Sequence, residues 1–274
     1  MAEAVNLYDN IYGDYESDAE AAVRRETYGE DIGQSSWITA AEWLRFADAL
    51  RVGVDSNVLE VGSGSGGPAV HLAVARGCQV TGVDINHHGV HNAGRLALAR
   101  GVADRVNFQA VDATQPLPFP DSTFDAVVSN DAMCHLANRL DVLRDWHRVL
   151  RPRGRILFTD AMVVTGLVSH EEIAVRSSVG FYLFVPPGEN ERLIVQAGFT
   201  LVSSEDVTAS AEAIAQRWYD ARERHRAALV EREGDANFAG LQRFLACVQR
   251  LSAERRLSRY CYVAEKGAST PGQS

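Results

Sequence analysis

The sequence predicts an α/β protein built on a doubly wound, mostly parallel sheet. Three observations carry that prediction. Short apolar runs recur with helical segments between them, a glycine-rich turn follows the first run, and an aspartate closes the second. Strands buried on both faces read as near-continuous apolar runs, as these do.

Residues 1–35 are polar and rich in tyrosine (Tyr8, Tyr12, Tyr15, Tyr28), and read as short helices and a loop. Ser36 is placed to cap a helix running to about residue 51, with Trp37, Ala40, Ala41, Leu44 and Ala47 on one face and Gly53 after its end. The run NVLEVG (57–62) is the first strand. Pro68 then opens a helix that ends before Gly77. QVTGVD (79–84) is the second strand, followed by a helix that Gly101 stops. VNFQAV (106–111) and FDAVVSN (124–130) are the third and fourth strands. Asn138 can cap a helix to Leu150, broken by Pro152 and Gly154 before a fifth strand, RILFTD (155–160).

Beyond Asp160 the rhythm loosens. Residues 161–187 read as a long irregular, lid-like connection. A helix over 189–197 leads to FTLVSSEDV (199–207), and a charged amphipathic stretch covers 209–250. LSRYCYVA (257–264) alternates like a final strand returning to the sheet as an antiparallel edge pair. The expected organisation is one domain over 1–266. It comprises an N-terminal segment (1–35), a binding core (57–160) and a substrate-selecting region (161–250), with a disordered tail at 267–274.

Bulk composition narrows the function. The chain has 274 residues, 46% hydrophobic and 23% charged, enough for one sizeable α/β core. A net charge of -9 argues against general affinity for nucleic acid or anionic membrane and suits a small-molecule substrate. The four cysteines, Cys78, Cys134, Cys247 and Cys261, contain no CxxC pair, so neither a zinc site nor a disulfide framework is expected. With no leader-like start and no membrane-length apolar run, a cytoplasmic setting is expected.

The first strand ends in Glu60-Val61-Gly62-Ser63-Gly64-Ser65-Gly66-Gly67. Glycines there let the backbone turn tightly and approach a ligand closely. Asp84, followed by Ile85, ends the second strand about 20 residues on, where a carboxylate can accept from both hydroxyls of a ribose. Gly62, Gly64 and Gly67 also spell GxGxxG, which alone fits a dinucleotide. Three features favour S-adenosylmethionine (SAM) instead. Glu60 lies inside a strand, where a buried carboxylate is costly unless it meets a partner. Asp112-Ala113 follows the third strand, suited to an adenine amino group. The fourth strand ends in the polar segment SNDAMCH.

With these residues in view, the segments VLEVGSGSGG, VTGVD, VDA, PFPDSTFDAVVSNDAMCHL and RVLRPRGRILFTD resemble the class I SAM-dependent methyltransferases over about residues 57–160. The resemblance implies a seven-stranded Rossmann-like fold, a SAM cofactor and a small-molecule acceptor. YGEDIG (28–33) with SNDAMCHLANR (129–139) is similar to the sarcosine/dimethylglycine and phosphoethanolamine N-methyltransferases. That narrower likeness implies that the N-terminal segment closes over SAM, with Gly33 and Gln34 at its methionine part. It implies that Asp131 and His135 face the methyl group with an N-terminal tyrosine. Tyr15 is the foremost candidate, with Tyr12 and Tyr28 as rivals. The GGPA segment (66–69) also resembles sugar and terpenoid methyltransferases of natural-product pathways.

Methyl transfer from a sulfonium needs alignment and a free lone pair on the acceptor. His135 is the candidate base because imidazole titrates near neutrality. Asp131 is expected to pair with His135 or with a positive substrate, or else to cap a helix. Asn130 is expected to line the methionine part of the site. The N-terminal tyrosines can form a cage for an ammonium. His87, His88 and His91 (HHGVH) read as a solvated first turn, not a metal site. Arg217, Arg222, Arg224 and Arg226 read as a solvated helix face. The leading expectation is methylation of a small-molecule amine. The alternatives are O- or C-methylation of a secondary metabolite, with 178–186 (SVGFYLFVP) helping to form an apolar pocket, and non-catalytic SAM binding.

Overall fold

A computed structural model of the chain describes Tyr12, Tyr15 and residues 17–268. Tyr8 and residues 269–274 of the expected tail lie outside the described residues. Helices α1 (Asp18–Tyr28) and α2 (Ala40–Asp48) precede β1 (Asn57–Val61). Alternation then runs through α3 (Gly67–Arg76), β2 (Gln79–Asp84), α4 (His87–Ala99), β3 (Val106–Ala110) and β4 (Phe124–Ser129). The chain continues with α5 (Arg139–Val149), β5 (Leu150–Val164), α6 (His170–Arg176) and α7 (Glu189–Gln196). It ends with β6 (Phe199–Asp206), α8 (Thr208–Arg224), α9 (Arg226–Ala253) and β7 (Leu257–Lys266).

The seven strands form one sheet in the order β3-β2-β1-β4-β5-β7-β6. Strands β1 to β5 pair in parallel, and β7 runs antiparallel between β5 and β6. Successive side chains point to opposite faces, and both faces are covered. Val58, Val128 and Leu157 pack on one face with Trp43, Phe46 and Leu72. Leu59, Val127, Ile156 and Phe158 pack on the other with Leu143 and Trp146. A third cluster lies among α1, α8 and α9, with Val23, Trp218, Phe238 and Phe244 at its heart. Among the described residues no helix is long and apolar enough to cross a membrane.

Local chemistry corrects several sequence expectations. The N-cap of α2 is Thr39, not Ser36: its hydroxyl accepts from the Glu42 amide at 3.2 Å. Ser36 and Trp37 stay in the preceding loop, where the Trp37 amide donates to Asp131 at 2.9 Å. Asn138 precedes α5 but makes no side-chain cap bond. Pro152 and Gly154 do not separate helix from strand. They lie inside β5, which starts at Leu150, and a register shift against β4 absorbs them. β5 also outruns its expected end because β7 pairs with it as far as Val164. The connection after β5 holds α6, whose Ser169 and Glu172 form a capping box. The stretch 209–250 is two helices, and α9 breaks at Gly234, where φ is 80°. Arg222 is buried rather than solvated, paired with Glu233 and Glu20, while Arg217, Arg224 and Arg226 are exposed.

Candidate functional site

The carboxyl ends of β1, β2, β3 and β4 open onto one cavity of about 1040 Å³. Strand order reverses between β1 and β4, and such switch points leave a crevice at the carboxyl edge of an open sheet. The cavity brings together Gly62, Ser63 and Gly64 after β1, Asp84 and Ile85 after β2, and Asp112 and Ala113 after β3. Asn130, Asp131 and His135 join them from the segment after β4. Gly33, Gln34 and Glu60 also line it, while Tyr15 does not.

The glycine turn is shaped by close approach. Gly64 has φ 51°, and a Cβ there would lie 2.6 Å from the Tyr12 hydroxyl. A Cβ on Gly67 would lie 2.5 Å from the Gly33 carbonyl carbon, so the N-terminal loop can rest on the turn only if residue 67 is glycine. Asp84 binds this turn to its own strand. Its two carboxylate oxygens accept from the Gly64 amide and the Asn86 amide, both at 2.8 Å. Each oxygen keeps a further lone pair, so vicinal hydroxyls remain within its capacity. Burial raises the Asp84 pKa, and the amide hydrogen bonds oppose that rise. Asp112 is exposed at the cavity edge, its Oδ1 accepting from the Thr114 amide at 2.9 Å.

Glu60 is fully buried, and burial pushes its pKa up to about 8 against a hydrogen bond from Asn130 Nδ2 at 3.3 Å. Its Oε2 has no hydrogen-bond partner, nor do the Ser63 and Ser65 hydroxyls or Asn130 Oδ1. Four cavity-lining residues thus present buried oxygens without partners, a costly arrangement that a donor-rich ligand relieves. An ammonium group with a ribose and an adenine fits that donor requirement, so these residues match SAM.

The segment after β4 differs from expectation. Asp131 adopts φ 55°, rare for a residue other than glycine, and both its oxygens are engaged. Oδ1 accepts from Arg259 Nε at 2.8 Å and Oδ2 from the Trp37 amide. Arg259 is buried and also meets Glu42 at 3.2 Å. The expected Asp131–His135 pair therefore gives way to an ion pair, because a buried guanidinium binds a carboxylate more strongly than a neutral imidazole does. His135 Nδ1 lies 2.7 Å from the Phe181 carbonyl, and its ring packs on Tyr182 at 4.6 Å. A carbonyl only accepts, so Nδ1 carries the proton and Nε2 the lone pair. Burial lowers the His135 pKa, keeping the ring neutral near pH 7.

The structure places the three candidate tyrosines differently. Tyr12, not Tyr15, lines the cavity. Tyr15 packs by Gly33 under the Arg24 guanidinium, 4.1 Å from its ring centre, and Tyr28 donates to the Ser36 carbonyl at 3.0 Å. The Gln34 side chain is spent within its loop on the Ile32 amide and Glu30 carbonyl. His87, His88 and His91 are exposed, and among the described residues no group of three or more ligating side chains is placed to hold a metal.

Beyond the strand ends the wall is aromatic. Trp37, Trp218 and Phe244 come from the α2 approach, α8 and α9, and Phe181 and Tyr182 from the segment after α6. Sequence reasoning reached Phe181 through its apolar run but not Trp218, Phe244 or Arg176. Their positions depend on how the helical roof packs, and no local motif marks them.

The family description "Methyltransferase domain" matches residues 59–158. The chain is 32% identical over 203 residues to 27-O-demethylrifamycin SV methyltransferase of Amycolatopsis mediterranei, covering 70% of this chain and 74% of that one. It is 27% identical to glycine/sarcosine/dimethylglycine N-methyltransferase of Actinopolyspora halophila over 75% of this chain, but spans only 35% of that protein's length. In structure it resembles phosphoethanolamine N-methyltransferase 2 of Haemonchus contortus, solved with S-adenosyl-L-methionine. The TM-score is 0.78 at 21% identity, covering 96% of this chain and 60% of that one. A Galdieria sulphuraria structure assigned by name only as a sarcosine dimethylglycine methyltransferase gives 0.74 at 18% identity, covering 84% of each. These two structural likenesses speak for the fold. With the glycine turn, the strand-end acids and the sequence relationship, the chain belongs to the class I SAM-dependent methyltransferases, enzymes whose cofactor is S-adenosylmethionine.

Proposed function

We propose that this enzyme methylates a hydroxyl oxygen on a bulky, mostly apolar small molecule, with His135 as general base. The observation that carries the proposal is the 2.7 Å approach of His135 Nδ1 to the Phe181 carbonyl, from which we infer an Nδ1-protonated ring with its lone pair on Nε2. Bound SAM supplies an activated methyl group on a sulfonium. Glu60, Ser63 and Asn130 would hold its methionine end, Asp84 its ribose, and Asp112 with Ile85 its adenine. Gly33 and Gln34 would cover it through their backbone, and Tyr12 would close the turn from above. His135 takes the acceptor's hydroxyl proton at Nε2 as the new O–C bond forms and the S–C bond breaks. Alignment by the cavity wall supplies the rest of the rate.

The aromatic wall suits a large acceptor better than a small amine. Asp131, the acid at this end, is paired with Arg259 and so offers a cationic acceptor no unpaired carboxylate. The first relative named above is, by its name, a methyltransferase of 27-O-demethylrifamycin SV, which agrees with an oxygen acceptor.

The test is release of S-adenosylhomocysteine from SAM against two pools. One holds small amines (glycine, sarcosine, dimethylglycine, phosphoethanolamine), the other phenolic and polyketide-like alcohols. Turnover with the second pool and O-methyl products is expected. Turnover confined to the amine pool would overturn the proposal.

A further inference from the structure

Arg176, the last residue of α6, is 1% exposed and lines the aromatic end of the cavity. Its Nε and Nη1 have no hydrogen-bond partner. Nη2 meets only a thioether, Met162 Sδ at 2.9 Å, and the guanidinium sits 4.7 Å from the Phe244 ring centre and 5.4 Å from that of Tyr182. The acids around it are committed elsewhere. Asp160 pairs with Arg139 at 2.6 Å, Asp131 with Arg259 at 2.8 Å and Glu172 with Arg256 at 2.7 Å.

A buried cation without a counter-charge is expensive, and the other buried arginines here show the usual remedy of a carboxylate partner. Stacking on aromatic faces recovers only part of that cost. The unmet charge faces a cavity whose opposite end is suited to SAM. We infer that Arg176 is the specificity residue for the acceptor: the molecule methylated here carries an anionic oxygen group, such as a carboxylate, on an apolar, ring-bearing skeleton. The aromatic wall takes the rings, and Arg176 takes the charge. In this apolar setting a charge-assisted hydrogen bond is stronger than at a surface. The same guanidinium disfavours a cationic acceptor. This inference rests on the reading of the aromatic end as the acceptor site.

The test uses matched probes and the full chain saturated with S-adenosylhomocysteine. 2-Naphthoate and 2-naphthamide share a skeleton and differ in charge. Their binding is read by quenching of tryptophan fluorescence, since Trp37 and Trp218 line the cavity. The naphthoate is expected to bind at least about tenfold more tightly than the amide. That preference should vanish in Arg176→Gln and survive in part in Arg176→Lys, with unchanged S-adenosylhomocysteine affinity reporting an intact fold. Equal affinities in the unaltered protein would overturn the anion assignment without needing any variant. So would a preference that persists in Arg176→Gln. Absence of binding by either probe at millimolar concentration would instead overturn the acceptor-site reading, and the inference with it.

Discussion

The two ends of the cavity are built by different means. The polar end comes mainly from four strand termini and the turns that leave them, within residues 60–135, with Tyr12, Gly33 and Gln34 laid over it, and it leaves oxygens unsatisfied. The aromatic end comes from the loop before α2, the end of α6 with the segment after it, and the helices α8 and α9, and among the described residues it leaves the Arg176 guanidinium without a carboxylate partner. One end is set by spacing along a chain that alternates regularly, the other by packing among helices far apart in sequence. A shared cofactor with varied acceptors fits this division: the first end is tied to the sheet, and the second can change with the roof. Arg259 on β7 joins the two, reaching Asp131 of the β4 segment at 2.8 Å and Ser210 of α8 at 3.4 Å.

The largest test of this division lies at the junction. His135→Ala is expected to lower turnover about 10²- to 10⁴-fold, the usual contribution of a positioned base, while leaving SAM affinity nearly unchanged. Because burial lowers the His135 pKa, the acid-side fall in turnover, where the ring gains its proton, should come at lower pH than for an ordinary imidazole. Steady-state rates against pH check both points, and wild-type turnover in the variant would remove the base from the mechanism.

A middle-sized effect is expected at the polar end alone. Asp84→Ala removes the carboxylate that holds the Gly64 and Asn86 amides and would receive a ribose. Hydrogen bonds to charged groups are worth about 1.5–3 kcal/mol, so SAM affinity should weaken roughly 10- to 150-fold. The naphthoate probe should bind as before, since the aromatic end is untouched. Calorimetry with both ligands decides, and equal loss for the two would dissolve the division between the ends.

The smallest effect is a proton. A carboxyl raised from about 4.5 to about 8 stays protonated in the folded chain across that window, while the unfolded chain has lost its proton. Glu60 therefore contributes stability that declines as pH rises from about 4.5 through 8. Pairing with an ammonium needs the ionised form, so SAM binding near pH 7 should release up to one proton and tighten toward pH 8, by at most about tenfold per pH unit. Calorimetry in buffers of different ionisation enthalpy measures that release. Glu60→Gln should abolish it, and a release that persists would assign the proton elsewhere.

Much of the polar end was legible in advance because each of its residues follows a strand by a fixed small step. Glu60, Gly62, Asp84, Asp112 and Asn130 all lie within a few residues of a strand terminus, and a parallel sheet brings such termini to one edge. The tyrosine was not legible. Tyr12, Tyr15 and Tyr28 share a polar segment, and what separates them is which hydroxyl meets Gly64, Gly33 or the Ser36 carbonyl. The role of Asp131 was likewise hidden, since its partner Arg259 stands 128 residues away on β7.

By itself, then, the amino-acid sequence determined the alternating sheet, the glycine turn and the set of strand-end acids, because hydrophobic period and turn chemistry act over a few residues. Only the tertiary structure decided the order β5-β7-β6, the burial of Arg222 with its two glutamates, the selection of Tyr12, and the meeting of Arg176 with Trp218 and Phe244 in one wall. Those features depend on contacts between segments distant along the chain. Their energy comes from burying apolar area and pairing charges out of water, and neither leaves a local signature in residue order.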